Sequence, residues 1–413
     1  MSRFRFIHAA DLHLGSPFDG LAIKDRVIAE RFAAATRDAF SELVRRAIEE
    51  EVAFFIVAGD VYDGEWRDNS IGLFFNREVA RLDRAGIPVF LLKGNHDADS
   101  VVTKSITLPT SVSQFDTRRP SSFSLDGLKV SLHGQGFAER AASDNLARAY
   151  PAPVPGHFNI GVLHTSLTGR PPHANYAPCS VDDLKARGYD YWALGHVHDH
   201  EIVANDPPIV FPGNLQGRNI RESGEKGAVL VSVEDGRVAS IDRLVVDQAR
   251  WQQVRVDVSQ AETVPALLRL VEDALASSCD DVAGRLTALR VTLTGASALR
   301  PQVLMGRAEL VDEIQAACHR IDPDVWLEKL DLRVGPIERP VAVDEGDARV
   351  DLQPLLAELV HDPALVDAAE AALREILAKL PAASGSGDAP LGASVDDLLA
   401  EARDVLLARS GSD

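Results

Sequence analysis

A chain of 413 residues is too long for one ordinary domain and suits two or three. Its 46% apolar and 25% charged residues form the composition of a globular protein, and no apolar run approaches bilayer length, which excludes a membrane-embedded chain. The net charge of −19 argues against a nucleic-acid-coating protein, but the charge is uneven. Residues 1–250 hold 28 Lys+Arg against 33 Asp+Glu, whereas residues 251–413 hold 15 against 29. The acidic excess thus belongs to the C-terminal part, and any polyanion is expected over the near-neutral first part. Cys179, Cys279 and Cys318 are few, odd in number and widely spaced, which suits a reducing compartment and neither a disulfide framework nor a zinc cluster. The N-terminus leads directly into a strand-like run with no signal-peptide pattern, so a cytoplasmic enzyme is expected.

In chain order, residues 4–9 read as a buried strand and residues 25–50 as a long amphipathic helix, with Val27, Ile28, Phe32, Ala35, Phe40, Leu43, Val44 and Ile48 at helical spacing. Strand-like runs follow at 53–58 and 87–92, separated by a helical pattern over 69–85. The runs at 123–125 and 129–132 flank Asp126-Gly127, a strong hairpin signal. Further buried runs come at 160–163 and 191–194, and a second hairpin spans 228–245 around Glu234-Asp235-Gly236. The pattern restarts at Trp251 as strand 253–258, helix 264–276, strand 287–294, helix 307–319 and strand 325–334. This predicts an α/β architecture of sheets flanked by helices over 1–247 and a small βαβαβ unit over 251–340. A helical segment at 341–380, a flexible linker at 381–392 and an amphipathic helix at 393–413 complete the chain, with Ser394 as the expected N-cap. That last helix is expected either to pack back on its parent domain or to dock on a partner through its apolar face, the flexible linker favouring the partner.

Five short blocks trail the buried runs of the first part. They are Asp11-Leu12-His13, Gly59-Asp60-Val61-Tyr62-Asp63, Gly94-Asn95-His96-Asp97, a lone His164, and Gly195-His196-Val197-His198. Strands of one sheet ending at a common edge would bring these loops into one crevice. Hard divalent cations take oxygen and imidazole ligands, and two ions about 3.5–4 Å apart need a bridging carboxylate, for which Asp60 is the natural choice. Asp11 and His13 project from the same side of an extended segment, and so do His196 and His198. His8 reads as a core histidine, and His133, His157, His173, His200 and His319 as ordinary ones. Arg118, Arg119, Arg218 and Arg221 are possible phosphate-backbone contacts or plain surface charges.

The five blocks resemble the calcineurin-like metallophosphoesterase superfamily, whose pattern is D-x-H, G-D-x-x-D, G-N-H-[DE], a single His and G-H-x-H. The stretches 6–15 (FIHAADLHLG) and 211–218 (FPGNLQGR) resemble more narrowly its DNA double-strand-break nuclease branch, the SbcD and YhaO-like subunits. The resemblance implies a layered metallophosphoesterase fold with a βαβαβ capping domain and a helical tail. It assigns a first metal to Asp11, His13, Asp60 and His198, and a second to Asp60, Asn95, His164 and His196, with Mn²⁺ the expected ion. His96 would contact the scissile phosphate and the leaving oxygen, and Asp97 would hold His96 by a hydrogen bond. Archaeal and eukaryotic members usually carry His at the position of Asp63 and bacterial ones often Asp, so Asp63 is expected to support the site from behind the ligands or to cap its loop, with no catalytic duty transferred to it. The expected function is a metal-dependent DNA nuclease acting with an SbcC-like coiled-coil ATPase, with a homodimer also implied. A small-ester phosphatase or cyclic-nucleotide phosphodiesterase is the alternative on the same chemistry, and a non-catalytic scaffold has no need of so complete a ligand set.

Overall fold

Runs such as Phe54–Ala58, apolar at every position, cannot expose either face to water and must lie inside a layered structure. The computed structural model describes residues 3–16, 26–63, 70–99, 107–139, 143–168, 176–279, 284–337, 352–379 and 394–410. The chain divides into two units, the first running to Arg250 and the second beginning at Trp251.

The first unit contains β1 (Arg3–Ala9), α1 (Arg26–Glu49), β2 (Phe54–Ala58), α2 (Ser70–Arg84), β3 (Val89–Leu92), α3 (Asn95–Asp99), β4 (Val112–Gln114), β5 (Ser121–Leu125), β6 (Val130–Gly134), β7 (Phe158–His164), α4 (Val181–Lys185), β8 (Tyr191–Gly195), β9 (Glu201–Asn205), β10 (Pro208–Phe211), β11 (Gly227–Glu234) and β12 (Arg237–Val245). Its strands form two six-stranded sheets, ordered β12-β11-β1-β2-β3-β4 and β5-β6-β7-β8-β10-β9. β1 to β4 run parallel, as do β6, β7, β8 and β10.

The sheets stack face to face. Phe4, Phe6, Phe54, Ile56, Phe90 and Leu92 of the first meet Val130, Leu132, Phe158, Ile160, Val162 and Tyr191 of the second in one buried cluster. Phe6 and Phe54 stack with ring centroids 4.8 Å apart, and the edge of Tyr191 meets Phe6 at 5.4 Å. The outer face of the first sheet is covered by Phe40, Leu43 and Val44 of α1 and Phe75, Val79 and Leu82 of α2. The outer face of the second packs Trp192, Leu194, Ile209 and Phe211 against Leu184 of α4 and Tyr150. The expectation of a single sheet gathering all five blocks is therefore corrected. β1, β2 and β3 lie in one sheet and β7 and β8 in its neighbour, because so many strands with apolar faces bury them by stacking.

The second unit comprises the end of β13 (Ala249–Asp257), α5 (Val264–Ser278), β14 (Leu286–Ala296), α6 (Arg300–Met305), α7 (Arg307–Ile321), β15 (Val325–Gly335), α8 (Leu352–Leu359), α9 (Pro363–Leu377) and α10 (Val395–Ser410). Its three strands order as β13-β14-β15, with Leu289, Val291 and Leu293 facing Leu267, Val271, Leu310 and Ile314 of α5 and α7. The short helix α6 is absent from the sequence reading. α10 lies against α6 and also touches α8 and α9 within this unit, and the Ser394 hydroxyl accepts from Asp397 N. The linker expected at 381–392 and the start of the 341–380 segment lie outside the described residues. Among the described residues no helix is long and apolar enough to cross a membrane.

Phe54→Ala would empty the space bounded by Phe4, Phe6 and Phe90 between the sheets. It is expected to cost about 3–5 kcal/mol of stability in urea unfolding; a loss well under 1 kcal/mol would show that the inter-sheet core does not depend on that ring.

Candidate metal centre

The two sheets bring the C-terminal ends of β1, β2, β3, β7 and β8 to one place. The segment after β1 runs beside the segment after β2: Asp11 N donates to Gly59 O, His13 N to Asp60 O and Leu14 N to Val61 O. This lacing fixes Asp11, His13 and Asp60 relative to one another before any side chain is considered. Asp11, His13, Asp60 and His196 all have left-handed backbone, with φ of 50°, 43°, 53° and 99°. Such conformations cost a non-glycine residue on the order of 1–3 kcal/mol each and persist only where neighbours over-determine them.

Close approach explains two of the glycines in the blocks. A Cβ on Gly195 would collide with the Ala58 carbonyl oxygen, and one on Gly59, whose φ is +104°, would enter the His164 ring. His164, the last residue of β7, can therefore slide between the ends of β2 and β8. Its Nδ1 donates to Ala58 O at 2.9 Å, which leaves the Nε2 lone pair facing Asn95 Oδ1 at 2.9 Å and Asp60 Oδ2 at 3.3 Å. Three acceptors converge there, an arrangement that requires a proton or a cation between them.

A second convergence lies beside it. His13 Nε2 and His198 Nε2 are 3.1 Å apart, and Asp11 Oδ1 lies 3.9 and 3.7 Å from them. Asp11 Oδ2 accepts from His196 N, but the buried Asp11 Oδ1 and His13 Nδ1 have no hydrogen-bond partner. Donor atoms of Asp11, His13 and His198 fall within 4.8 Å of one another, as do those of His13, Asp60 and His96, and those of Asp11, Asp60 and His164. Asp60 belongs to two of these sets; its Oδ1 accepts from His96 N and its Oδ2 faces His164. His196 lies with its ring centroid 5.2 Å from that of His164.

Electrostatics point the same way. Burial, then the Arg218 charge, pushes His13 well below the ordinary histidine value and keeps it an uncharged, ligand-ready imidazole. Burial raises Asp11 to about 6, against the pull of His164 and His198. Burial would also raise Asp60, yet the charge and hydrogen bond of His164 outweigh it and hold that carboxyl at about 2. His164 moves up to about 9 because Asp60 overcomes the burial that would lower it. A buried set of carboxylates, imidazoles and one amide oxygen that recruits positive charge fits divalent metal ions.

One expected role is corrected. Asp97 does not hold His96: its carboxylate accepts from the backbone N–H groups of Val61, Tyr62 and Gly94 and ties the β2 and β3 loops together. The residue that holds His96 is Asp63, whose Oδ1 lies 2.9 Å from His96 Nδ1. The hydrogen bond to Asp63 raises His96 above the ordinary histidine value, against partial burial. Asp63 in turn accepts from Ser16 Oγ at 2.7 Å and Arg218 Nη1 at 3.0 Å. Arg218 is largely buried in ion pairs with Asp63 and Glu222 and does not offer the surface charge considered for phosphate backbone. Glu222 is absent from the sequence reading, and only its place four residues after Arg218 could have signalled it. His8 is a core residue: its Nδ1 meets Tyr191 OH and its Nε2 meets Leu194 O, each at 3.0 Å, and burial lowers it to about 3. His200 Nδ1 donates to Phe211 O.

Residues 4–200 match the family model described as calcineurin-like phosphoesterase, and residues 251–335 the model described as the middle domain of metallophosphoesterase YhaO. The "Uncharacterized metallophosphoesterase YhaO" of Bacillus subtilis (strain 168) is 37% identical over 272 residues, which is 65% of this chain and 66% of that protein. The DNA double-strand break repair protein Mre11 of Sulfurisphaera tokodaii is 25% identical over 274 residues, covering 63% of this chain and 67% of its own length. The Mre11 protein of Methanopyrus kandleri is 25% identical over 407 residues, covering 90% and 82%. The chain thus spans about two thirds of the length of the first two of these relatives. With its candidate ligand set gathered at the ends of five strands and this family match, the chain belongs to the calcineurin-like metallophosphoesterase superfamily.

Proposed function

We propose that this phosphoesterase is a DNA nuclease, using two divalent ions, with Mn²⁺ the preferred one, and acting in DNA repair or recombination. The observation that carries the reading is His96, part-exposed at the edge of the ligand cluster, where its hydrogen bond to Asp63 raises it above the ordinary histidine value and favours the protonated ring. A positively charged imidazole so placed contacts a phosphodiester oxygen and holds a proton for the leaving alkoxide. Metal ions bound by Asp11, His13, Asp60, Asn95, His164, His196 and His198 would supply charge neutralisation and lower the pKa of bound water toward neutrality. The chain's own contribution is to fix those ligands by backbone lacing, to keep His13 unprotonated, and to orient His96 through Asp63. Support for DNA as substrate comes from the two Mre11 relatives, which are named for DNA double-strand break repair, and from the near-neutral charge of the first 250 residues. An SbcC-like coiled-coil ATPase as partner, and a homodimer, extend the same reading.

His96→Ala is expected to lower kcat by about 10²–10⁴-fold in a Mn²⁺-dependent assay on linear DNA, with the fold intact by circular dichroism. Undiminished cleavage would remove His96 from the reaction. Wild-type protein should cleave DNA faster than small phosphomonoesters or cyclic nucleotides. The opposite order would replace the nuclease reading by the small-ester one. Affinity capture of the ATPase from cell extract should succeed with the full chain and weaken on deletion of residues 381–413; capture that is equal in both would place the partner surface elsewhere.

A further inference from the structure

The segment after β10 carries more buried polar contacts than a connecting loop needs. Glu222 is nine-tenths buried, yet its carboxylate takes five donors or donor groups. Oε1 lies 2.8 Å from His198 Nδ1 and 2.6 Å from Arg218 Nη2. Oε2 accepts from Arg218 N at 2.9 Å, Arg218 Nε at 3.1 Å and Asn214 Nδ2 at 2.8 Å. Arg218 continues the chain through Nη1 to Asp63 Oδ2 at 3.0 Å, and Asp63 Oδ1 meets His96 Nδ1. From the other side, Lys226 Nζ donates to His198 O at 2.9 Å, and Asn214 N donates to the same carbonyl at 3.2 Å. His198 is thus held at its carbonyl and at one ring nitrogen by residues 214–226.

We propose that Glu222, joined to Asp63 through Arg218, is a positioning residue that keeps the His198 proton on Nδ1 and turns the Nε2 lone pair toward Asp11 and His13. The inference rests on the metal-centre reading and goes beyond it by assigning the orientation of one ligand to a named carboxylate. Arg218 Nη2 lies 3.2 Å from His198 Nδ1 and would favour the other tautomer by donating to it. The carboxylate wins for two reasons. Its contact is shorter, and an ionised carboxylate can only accept, so a ring N–H must face it. Both Glu222 oxygens are taken up by donors, two of them from the Arg218 guanidinium, as an acceptor-only carboxylate requires. A histidine whose far nitrogen donates to a carboxylate is a more basic and more rigid metal ligand, and loss of such a partner typically weakens metal binding about 10–100-fold. The same linkage makes Asp63 common to both ends: it receives Arg218 and orients His96. Ligand geometry and the phosphate-facing histidine are therefore set by one buried chain of charges.

The test uses the full chain and reads metal binding and ring protonation separately from cleavage. In the metal-free wild type, imidazole ¹⁵N NMR should show His198 protonated at Nδ1; a proton on Nε2 would overturn the proposal directly. Glu222→Ala should move that proton to a mixture of the two nitrogens and raise the Mn²⁺ Kd in calorimetry about 10–100-fold. Glu222→Asp should recover part of the affinity. An unchanged Kd and an unchanged ¹⁵N spectrum in folded Glu222→Ala would leave Glu222 a mere structural residue. If Glu222→Ala does not fold, Glu222→Gln keeps the shape while losing the charge, and the same two readouts apply to it. Failure of the wild type itself to bind Mn²⁺ would sink the metal-centre reading and is distinguishable from any of these outcomes.

Discussion

The Ala58 carbonyl is the contact around which the centre is organised. By accepting from His164 Nδ1 it decides which imidazole nitrogen is left for Asn95 and Asp60, and so brings that nitrogen and two oxygens to one point. Such a convergence is favourable only with positive charge among them, a proton or a metal cation. The distances among Asp11, His13 and His198 repeat the logic a few ångströms away. Both convergences exist because two sheets, not one, end at the same place: β2 supplies the carbonyl and β7 the histidine.

Holding such a centre has a cost that is visible in the backbone. Four residues of the ligand set adopt left-handed φ, and the segments after β1 and β2 are stitched by three backbone hydrogen bonds. Asp97 adds a buried carboxylate whose only hydrogen-bonding work among the described contacts is to gather the N–H groups of two loops. The large inter-sheet core of phenylalanines is what offsets these local penalties, since burial of each ring contributes a few kcal/mol. Stability is therefore concentrated beneath the site and strain within it.

Much of this was legible in the residues. Runs buried on both sides announced β2, β3, β7 and β8, and helical periodicity placed α1, α2, α5 and α7 to within a residue or two. The five blocks fall together because each trails a strand end, which local sequence can signal. Partition of those strands between two sheets was not legible, because an all-apolar strand carries no mark of which neighbour it pairs with. Strands β4, β9 and β10 are short edge-proximal pieces with weak alternation, and α6 is under two turns long. The exchange of roles between Asp63 and Asp97 was invisible for a similar reason. Both are aspartates three or fewer residues from a ligand, and only the backbone path decides which carboxylate faces His96 and which turns back to cap N–H groups. Glu222 and Arg218 required tertiary information altogether, since their partners lie in loops up to 155 residues away.

The candidate ligand atoms come from both sheets: Asp11, His13, Asp60 and Asn95 from the first, His164, His196 and His198 from the second. Any ion bound among them acts as a cross-link between two layers that are otherwise joined here by apolar contact and a few hydrogen bonds. By mass action, a cation that binds the folded unit alone adds stability that grows with the logarithm of its concentration above Kd. The separation of the two sheets at this edge and the occupancy of the centre are consequently one thermodynamic variable. A change in inter-sheet packing far below the loops would be felt as a change in metal affinity.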